Sequence, residues 1–280
     1  MLYSKEVITS RQNPTVKLVC ALSDKKGRRE TGAFRFDGIK LFCEAVACRL
    51  DILQVVLSQA ADGRVLSALE SAIRDGAVDG AKVTLVSEQL FEKISEERAP
   101  EGIITVAANI AQMHSRICGD DVRGYSVEDG ERLLIAESLR DPGNLGTVIR
   151  SCAALGIDRL VISDDCADLY NPQTIRGAMG GLFRLRIDIL DADALPDAIR
   201  SLRRNGRRVY AAALHKDALT VGRMEMKRGD CFVIGNEGHG LSDGVIDACD
   251  ACAMIPMTEN SESLNAAAAA AICIWETLGA

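Results

Sequence analysis

The chain has 280 residues, of which 48% are hydrophobic and 26% charged, with a net charge of −7. These are the proportions of a folded globular protein, and the length suggests two domains rather than one. No stretch of about 18 residues is free of charged and polar side chains, which excludes a membrane-spanning helix, and the opening MLYSKEVITSRQNP lacks the apolar core of a secretory signal, so a cytoplasmic location is expected.

Asn13–Leu22 has helical spacing (Val16, Leu18, Val19, Leu22) behind Pro14, which suits a first helical turn. Lys25–Arg29 reads as a solvated, Lys-rich loop. Gly32–Gly38 is a short strand with Phe34 and Phe36 on one face, where core packing is favoured over stacking on bases. A helix over Ile39–Cys48, a strand over Leu53–Ser58 and a helix over Arg64–Arg74 follow. A strand over Val83–Val86, a short helix over Glu88–Ile94 and a strand over Ile103–Ala108 complete the first third. The first 40 residues hold nine Lys and Arg against four acids, a local +5 that leaves −12 for the rest. Phosphate binding depends on a local basic face and not on the global sum.

Gln112–Glu131 is acidic, glycine-bearing and poor in apolar residues, and is expected to be a linker. The expected division is an N-terminal domain over 1–110, a linker over 111–131 and a C-terminal domain over 132–280. Beyond the linker, strands alternate with helices. The strands are Leu133–Glu137, Arg159–Ser163, Leu185–Leu190, Arg208–Ala212, Cys231–Gly235 and Ala253–Pro256. The helices are Asn144–Leu155, Asn171–Met179, Asp193–Asn205, a short one after Ser242, and Ser263–Leu278. This alternation indicates an α/β fold with a mostly parallel sheet covered on both faces, whose ligands bind in the loops beyond the strands' carboxyl ends.

Ten cysteines without a secretory signal are expected to be reduced thiols buried as small apolar residues. The single CxxC, Cys249–Cys252, has no second pair, and His114, His215 and His239 lie far apart. No metal is expected.

Three strand-to-helix loops carry the chemistry. In the first, Asp141-Pro-Gly143 makes a turn, Asn144 is placed to cap the next helix, and Arg150 follows within two turns. Free helix N–H groups beside a guanidinium suit a phosphate or an oxyanion, although a plain surface arginine reads the same way. In the second, Phe232–Asp243, a strand runs into Gly235, Gly238 and Gly240. The spacing is not that of the dinucleotide fingerprint, since a helix begins only after Ser242. Glu237 and His239 stand in that loop as an acid–base pair or as two solvated side chains. In the third, Ile255–Asn265, a polar loop precedes six alanines, a composition suited to very close helix packing.

Taken in order, Asn144-Leu-Gly-Thr-Val-Ile-Arg150, Val233-Ile-Gly-Asn-Glu-Gly-His-Gly-Leu-Ser242 and Ile255-Pro-Met257 through Glu262-Ser-Leu-Asn-Ala-Ala267 resemble the three motifs of the SpoU (TrmH-type) branch of the SPOUT RNA methyltransferases. Asn171–Phe183 is similar to a further family segment, with Ala178 where the family often has Ser, and Ile8–Lys17 with Phe34–Gly38 is similar to the small α/β domain that often precedes the catalytic one. The resemblance implies a C-terminal α/β domain with a deep trefoil knot, a smaller N-terminal substrate-binding domain of ribosomal-protein-like fold, and a homodimer. It implies transfer of a methyl group from S-adenosyl-L-methionine to a ribose 2′-hydroxyl of RNA, with rRNA favoured over tRNA and no metal or membrane involved. The alternative is a non-catalytic RNA-binding protein that retains the fold.

Carried onto this sequence, the resemblance assigns the cofactor to Ile234, Gly235, Asn236, Ile255, Met257 and Leu264, and catalysis to Arg150 with Asn144, Glu237, Ser263 and Asn265. A free guanidinium stays protonated, so Arg150 is read as a phosphate ligand and stabiliser of the forming alkoxide, with a base role as the alternative. Given RNA, Arg11, Lys17, Lys25, Lys26, Arg28 and Arg29 are expected phosphate contacts, supplying salt-dependent affinity and no sequence choice.

Overall fold

The computed structural model describes residues 2–258 and 263–279. The chain divides into two compact units: one runs to Ile110 and also takes Tyr170–Phe183, and the other takes Ala111–Leu169 and the chain from Arg184 onward.

The first unit opens with β1 (Val7–Ile8), α1 (Pro14–Ala21), α2 (Lys25–Thr31), β2 (Ala33–Asp37) and α3 (Ile39–Ala47). It continues with β3 (Ile52–Ser58), α4 (Gly63–Arg74), β4 (Val83–Val86), α5 (Glu88–Ile94) and β5 (Ile103–Ala108). Among the described residues its sheet has the order β1-β4-β3-β5-β2; β5 runs antiparallel to both β2 and β3. Local chemistry fixes the helix starts. The Asn13 side chain accepts from Thr15 N at 2.9 Å ahead of Pro14, and Asp62 accepts from Arg64 N and Val65 N.

Lys25–Arg29 is not a loop but most of α2. Gly32, at φ 63°, ends the helix in the left-handed conformation. Gly27 lets α2 approach α1, because a Cβ there would lie 2.0 Å from the Ala21 carbonyl oxygen. Arg28, expected among the phosphate contacts, is only 4% exposed. Its Nη1 donates to the carbonyls of Leu22 and Ser23, both at 2.8 Å, so this arginine ties the α1–α2 corner and is withdrawn from any ligand.

Phe34 and Phe36 are core residues, in agreement with the sequence reading. Phe34 packs on Tyr170 with centroids 4.6 Å apart, and Phe36 packs on Phe183 at 5.3 Å. The Tyr170 hydroxyl also accepts from Ile110 N at 2.8 Å. The first unit is therefore completed by a segment that follows it by some 60 residues in sequence.

The second unit begins with β6 (His114–Ile117), β7 (Leu133–Ala136), α6 (Pro142–Leu155) and β8 (Arg159–Ser163). After α7 (Pro172–Ala178), which belongs to the first unit, come β9 (Arg186–Leu190), α8 (Leu195–Arg204), β10 (Val209–Ala212), β11 (Leu219–Thr220) and β12 (Cys231–Ile234). The chain closes with α9 (Asp243–Ala248), β13 (Ala251–Met254) and α10 (Ala266–Leu278). The sheet order is β11-β13-β10-β12-β7-β8-β9-β6 among the described residues, and each ladder is parallel. This is the expected α/β architecture, a large parallel sheet with a smaller N-terminal domain.

Residues 111–131 are not an open linker. They supply the edge strand β6, and Val122 and Tyr125 enter the core. The Tyr125 hydroxyl donates to Asp188 at 2.6 Å; burial first, then the Asp188 charge, pushes its pKa well above the ordinary phenol value. Some element ends also differ from expectation. Strand β13 begins two residues earlier than the alternation suggested, and α10 starts at Ala266 behind its cap Asn265. The cysteines are free thiols; Cys152, Cys166, Cys231, Cys249 and Cys273 are buried as expected, but Cys20, Cys43 and Cys118 are exposed. Burial pushes Cys231 up to about 12, so it is an inert core residue. Among the described residues no helix is long and apolar enough to cross a membrane.

The aromatic cover over β2 gives a direct test. Phe183→Ala removes the ring seated on Phe36 and is expected to cost the protein about 3–5 kcal/mol. Urea unfolding followed by far-UV circular dichroism measures the loss.

Candidate active site

Because β7, β12, β10 and β13 lie side by side and parallel, their carboxyl ends open on one edge of the sheet. There the loops after β10, β12 and β13 line a cavity of about 520 Å³. Ile234, Gly235, Asn236, Ile255, Met257 and Leu264, the six residues expected at a cofactor, all line it, as do Glu237 and Ser263. The middle of the third motif, residues 259–262, lies outside the described residues.

The glycine-rich turn is closed by its own backbone. Asn236 N donates to the Gly240 carbonyl at 2.9 Å, and Gly240 N donates back at 3.0 Å. Gly235 sits so close beneath this closure that a Cβ would lie 2.4 Å from the Gly240 carbonyl carbon. The Asn236 side chain then works in both directions. Its Oδ1 accepts from Gly238 N and His239 N at 2.8 and 3.1 Å, and its Nδ2 donates to the Ser138 carbonyl at 2.7 Å.

Asn144 does not cap α6. The cap is Asp141, whose Oδ1 accepts from Asn144 N at 2.7 Å, and Pro142 takes the first helical position. Freed from capping, the Asn144 side chain bridges two other loops. Its Nδ2 donates to Glu237 Oε1 at 3.0 Å, and its Oδ1 accepts from Asn265 Nδ2 at 2.9 Å. Asn265 in turn caps α10 through Ala267 N and Ala268 N. One residue from each of the three motifs thus joins a single hydrogen-bonded chain.

Arg150 is not among the residues lining the cavity. It is exposed on α6, and its side chain hydrogen-bonds to no described residue. It lies two steps of three from Asn144 along the helix, about 9 Å farther along the axis. Its charge is available to a ligand and is not tied into the fold.

Sequence reasoning missed Ala212, Ala213 and Leu214, the cavity wall contributed by the end of β10. No polar motif marks them; the signal would have been their place one strand from β12. It also missed Ser138, a non-glycine residue at φ 54°. Ser138 N donates to Ser163 Oγ and its own Oγ donates to Asp165, at 2.7 and 2.6 Å. Burial alone would raise the Asp165 pKa, but hydrogen bonds from Ser138 and Ser163 and the Arg140 guanidinium outweigh it and hold the carboxyl below its ordinary range. Among the described residues no group of three or more His, Cys, Asp and Glu is placed to hold a metal ion.

Comparison with known proteins gives the family. Residues 131–275 match the SpoU rRNA Methylase family, and residues 13–105 match the MRM3-like substrate binding domain. The first match spans more than half of the chain, and the protein belongs to the SpoU rRNA methylase family. It is similar to the 23S rRNA (guanosine(2553)-2'-O)-methyltransferase RlmP of Bacillus subtilis (strain 168), with 29% identity over 274 residues that cover 97% of this chain and 99% of that one. It is also similar to the 23S rRNA (uridine(2479)-2'-O)-methyltransferase of Streptomyces viridochromogenes, with 28% identity over 70% of this chain and 67% of that one. Among solved structures, the AdoMet-bound rRNA methyltransferase from Sinorhizobium meliloti superposes with a TM-score of 0.80 at 27% identity, covering 97% of each chain.

The closeness at Gly235 is testable. Gly235→Ala forces the turn open and is expected to destabilise the protein by about 1–3 kcal/mol. Hydrogen exchange should show faster exchange at the amides of Asn236 and Gly240.

Proposed function

We propose that this protein transfers the methyl group of S-adenosylmethionine to a ribose 2′-hydroxyl of ribosomal RNA. The observation that carries the reading is the Asn265–Asn144–Glu237 chain, which joins three distant motifs beside one cavity. End-to-end similarity to an enzyme named for a 2′-O-methylation of 23S rRNA supports rRNA over tRNA.

The cavity fits the cofactor. Its volume lies in the range of small-molecule sites, and its walls combine glycine backbone with Leu214, Ile255 and Leu264. Those apolar side chains suit the faces of an aromatic base, and the main-chain groups of Ile234, Gly235, Asn236 and Met257 suit its edges and the amino-acid part. When bound, S-adenosylmethionine supplies a methyl group on a positively charged sulfur. The chain's own residues have the other tasks. Arg150 grips the phosphate next to the target ribose and stabilises the negative charge that develops on the sugar oxygen as the hydroxyl gives its proton to water and S-adenosylhomocysteine leaves. Asn144, Glu237, Ser263 and Asn265 orient the loops and the ribose, and most of the rate gain comes from holding the reactants in line.

The N-terminal unit supplies RNA affinity. Arg11, Lys17, Lys25, Lys26 and Arg29 are exposed and remain the proposed phosphate contacts. The C-terminal trefoil knot and the homodimer belong to the same proposal. In support of the knot, β12 inserts between β7 and β10, while the later β13 passes to the other edge of β10. In support of the dimer, α10 turns Ala268, Ile272 and Trp275 outward in a stripe at helical spacing, with Trp275 68% exposed. A cytoplasmic location accords with an rRNA substrate.

A tritiated-methyl assay on rRNA tests the assignment of Arg150. Arg150→Ala is expected to lower kcat by about 100-fold or more and to leave S-adenosylhomocysteine affinity unchanged. Equal activity in variant and parent would remove Arg150 from the mechanism. Parent protein that binds RNA but transfers no methyl group would mark it as a binding protein only. Sedimentation tests the dimer: Trp275→Glu is expected to convert the parent dimer to a monomer, and a monomeric parent would refute the proposal.

A further inference from the structure

The geometry points to Glu137 as a positioning residue that holds the glycine-rich wall of the cavity in its binding shape; as a statement about the methyl donor's site, this rests on the function proposed above. Glu137 follows β7 and is 7% exposed. Its backbone N donates to the carbonyl of Ile234, the last residue of β12, at 2.8 Å. Its side chain reaches the far end of the same loop. Oε1 accepts from Ser242 Oγ at 2.6 Å, and Oε2 accepts from Ser242 N at 2.8 Å. One residue therefore grips both ends of the segment 235–241, every residue of which lines the cavity.

The neighbouring residue repeats the device. The Ser138 carbonyl, presented from a left-handed backbone, takes the Asn236 side chain at the start of the turn. Holding Ser138 in that conformation costs energy, and the Ser163–Asp165 pair fixes it there. The strain serves to aim a carbonyl at the glycine loop.

A buried carboxylate is costly unless its charge is compensated. Among the described residues Glu137 forms no salt bridge, and its two oxygens are met by the two donors of Ser242. Charge-assisted bonds of this kind are shorter and stronger than neutral ones. Ser242 is also the cap of the six-residue helix α9, its Oγ accepting from Val245 N. What the pair of bonds adds is a fixed distance between β7 and the exit of the loop. Gly235 leaves no room for a Cβ against Gly240, which shows how little slack that wall has.

Glu137→Ala, Glu137→Gln and Ser242→Ala test the role, with two readouts. The first is amide exchange in ligand-free protein at Gly238, His239 and Gly240, compared with Val233 and Ile135 in the sheet. The second is calorimetric affinity for S-adenosylhomocysteine, compared with KM for rRNA. Glu137→Ala is expected to expose the three loop amides selectively, to weaken S-adenosylhomocysteine by about 10- to 100-fold, and to leave KM for rRNA unchanged. Glu137→Gln can still accept from Ser242 N and donate to its hydroxyl, so it should stay within about threefold of the parent. Ser242→Ala should fall between the two.

Unchanged exchange of the loop amides in Glu137→Ala would overturn the inference. So would a loss of protection spread evenly over loop and sheet, or a failure of Glu137→Gln to rescue, since each marks a general stabilising role. If the parent protein binds no S-adenosylhomocysteine, the methyl-transfer reading falls, and the exchange comparison still decides whether Glu137 sets the loop.

Discussion

Parallel pairing of β7, β12, β10 and β13 is the constraint from which the rest of the C-terminal unit follows. Parallel neighbours must end at the same edge, so each crossover returns the chain to the same side of the sheet. Here the spatial order departs from the chain order: β12 lies between β7 and β10, and β13 lies beyond β10. Loops separated by about a hundred residues are therefore delivered to one edge, as the Asn144–Glu237 and Asn144–Asn265 bonds record. Without that ladder the three motifs would be three unrelated turns.

The two ends of the sheet solve opposite problems. At the amino ends, charge is structural. Arg159 reaches Glu131 and Asp188, Arg186 reaches Glu131, and Tyr125 closes on Asp188. These groups are matched to each other, and the network anchors residues that the sequence presents as a connector. At the carboxyl ends the loops are stitched mostly by neutral amides and hydroxyls, which can rearrange around a ligand at modest cost. Carboxylates join them at three places: Glu237 accepts from Asn144, Asp165 from Ser138 and Arg140, and Glu137 from Ser242. Arg150 keeps its charge in solvent, where an anionic partner can claim it.

The fold class was legible because periodicity and turn chemistry agree. Asn13-Pro14 and Asp62 start helices for reasons visible in the sequence, and the strand–helix alternation after residue 132 leaves few arrangements other than a parallel sheet. The motif loops were legible as loops, and the six residues expected at the cofactor line one cavity, whereas Asn144, Arg150 and Asn265 lie outside its lining. Three things were hidden, each for a physical reason. Residues 111–131 looked like a connector because β6 is short and half-exposed, and their anchoring depends on the long-range Tyr125–Asp188 bond. Asn144 looked like a cap because Asn is a good one, yet Asp141 stands three residues earlier and wins the position. Glu137 looked like the polar end of a strand, because its partner lies 105 residues away.

The basic segment shows most sharply what composition leaves undetermined. Lys25, Lys26, Arg28 and Arg29 are equivalent as a charge count, and folded into α2 they are not. Arg28 turns inward and satisfies two carbonyls at the α1–α2 corner, which water would otherwise have to solvate. Lys25, Lys26 and Arg29 are left outside on a short helix whose approach depends on Gly27. A buried guanidinium releases no counterion when RNA arrives, whereas an exposed one does. Arg28 thus builds the corner that carries the basic face without adding to it, and with Arg35 also buried the local charge of +5 overstates what reaches the surface.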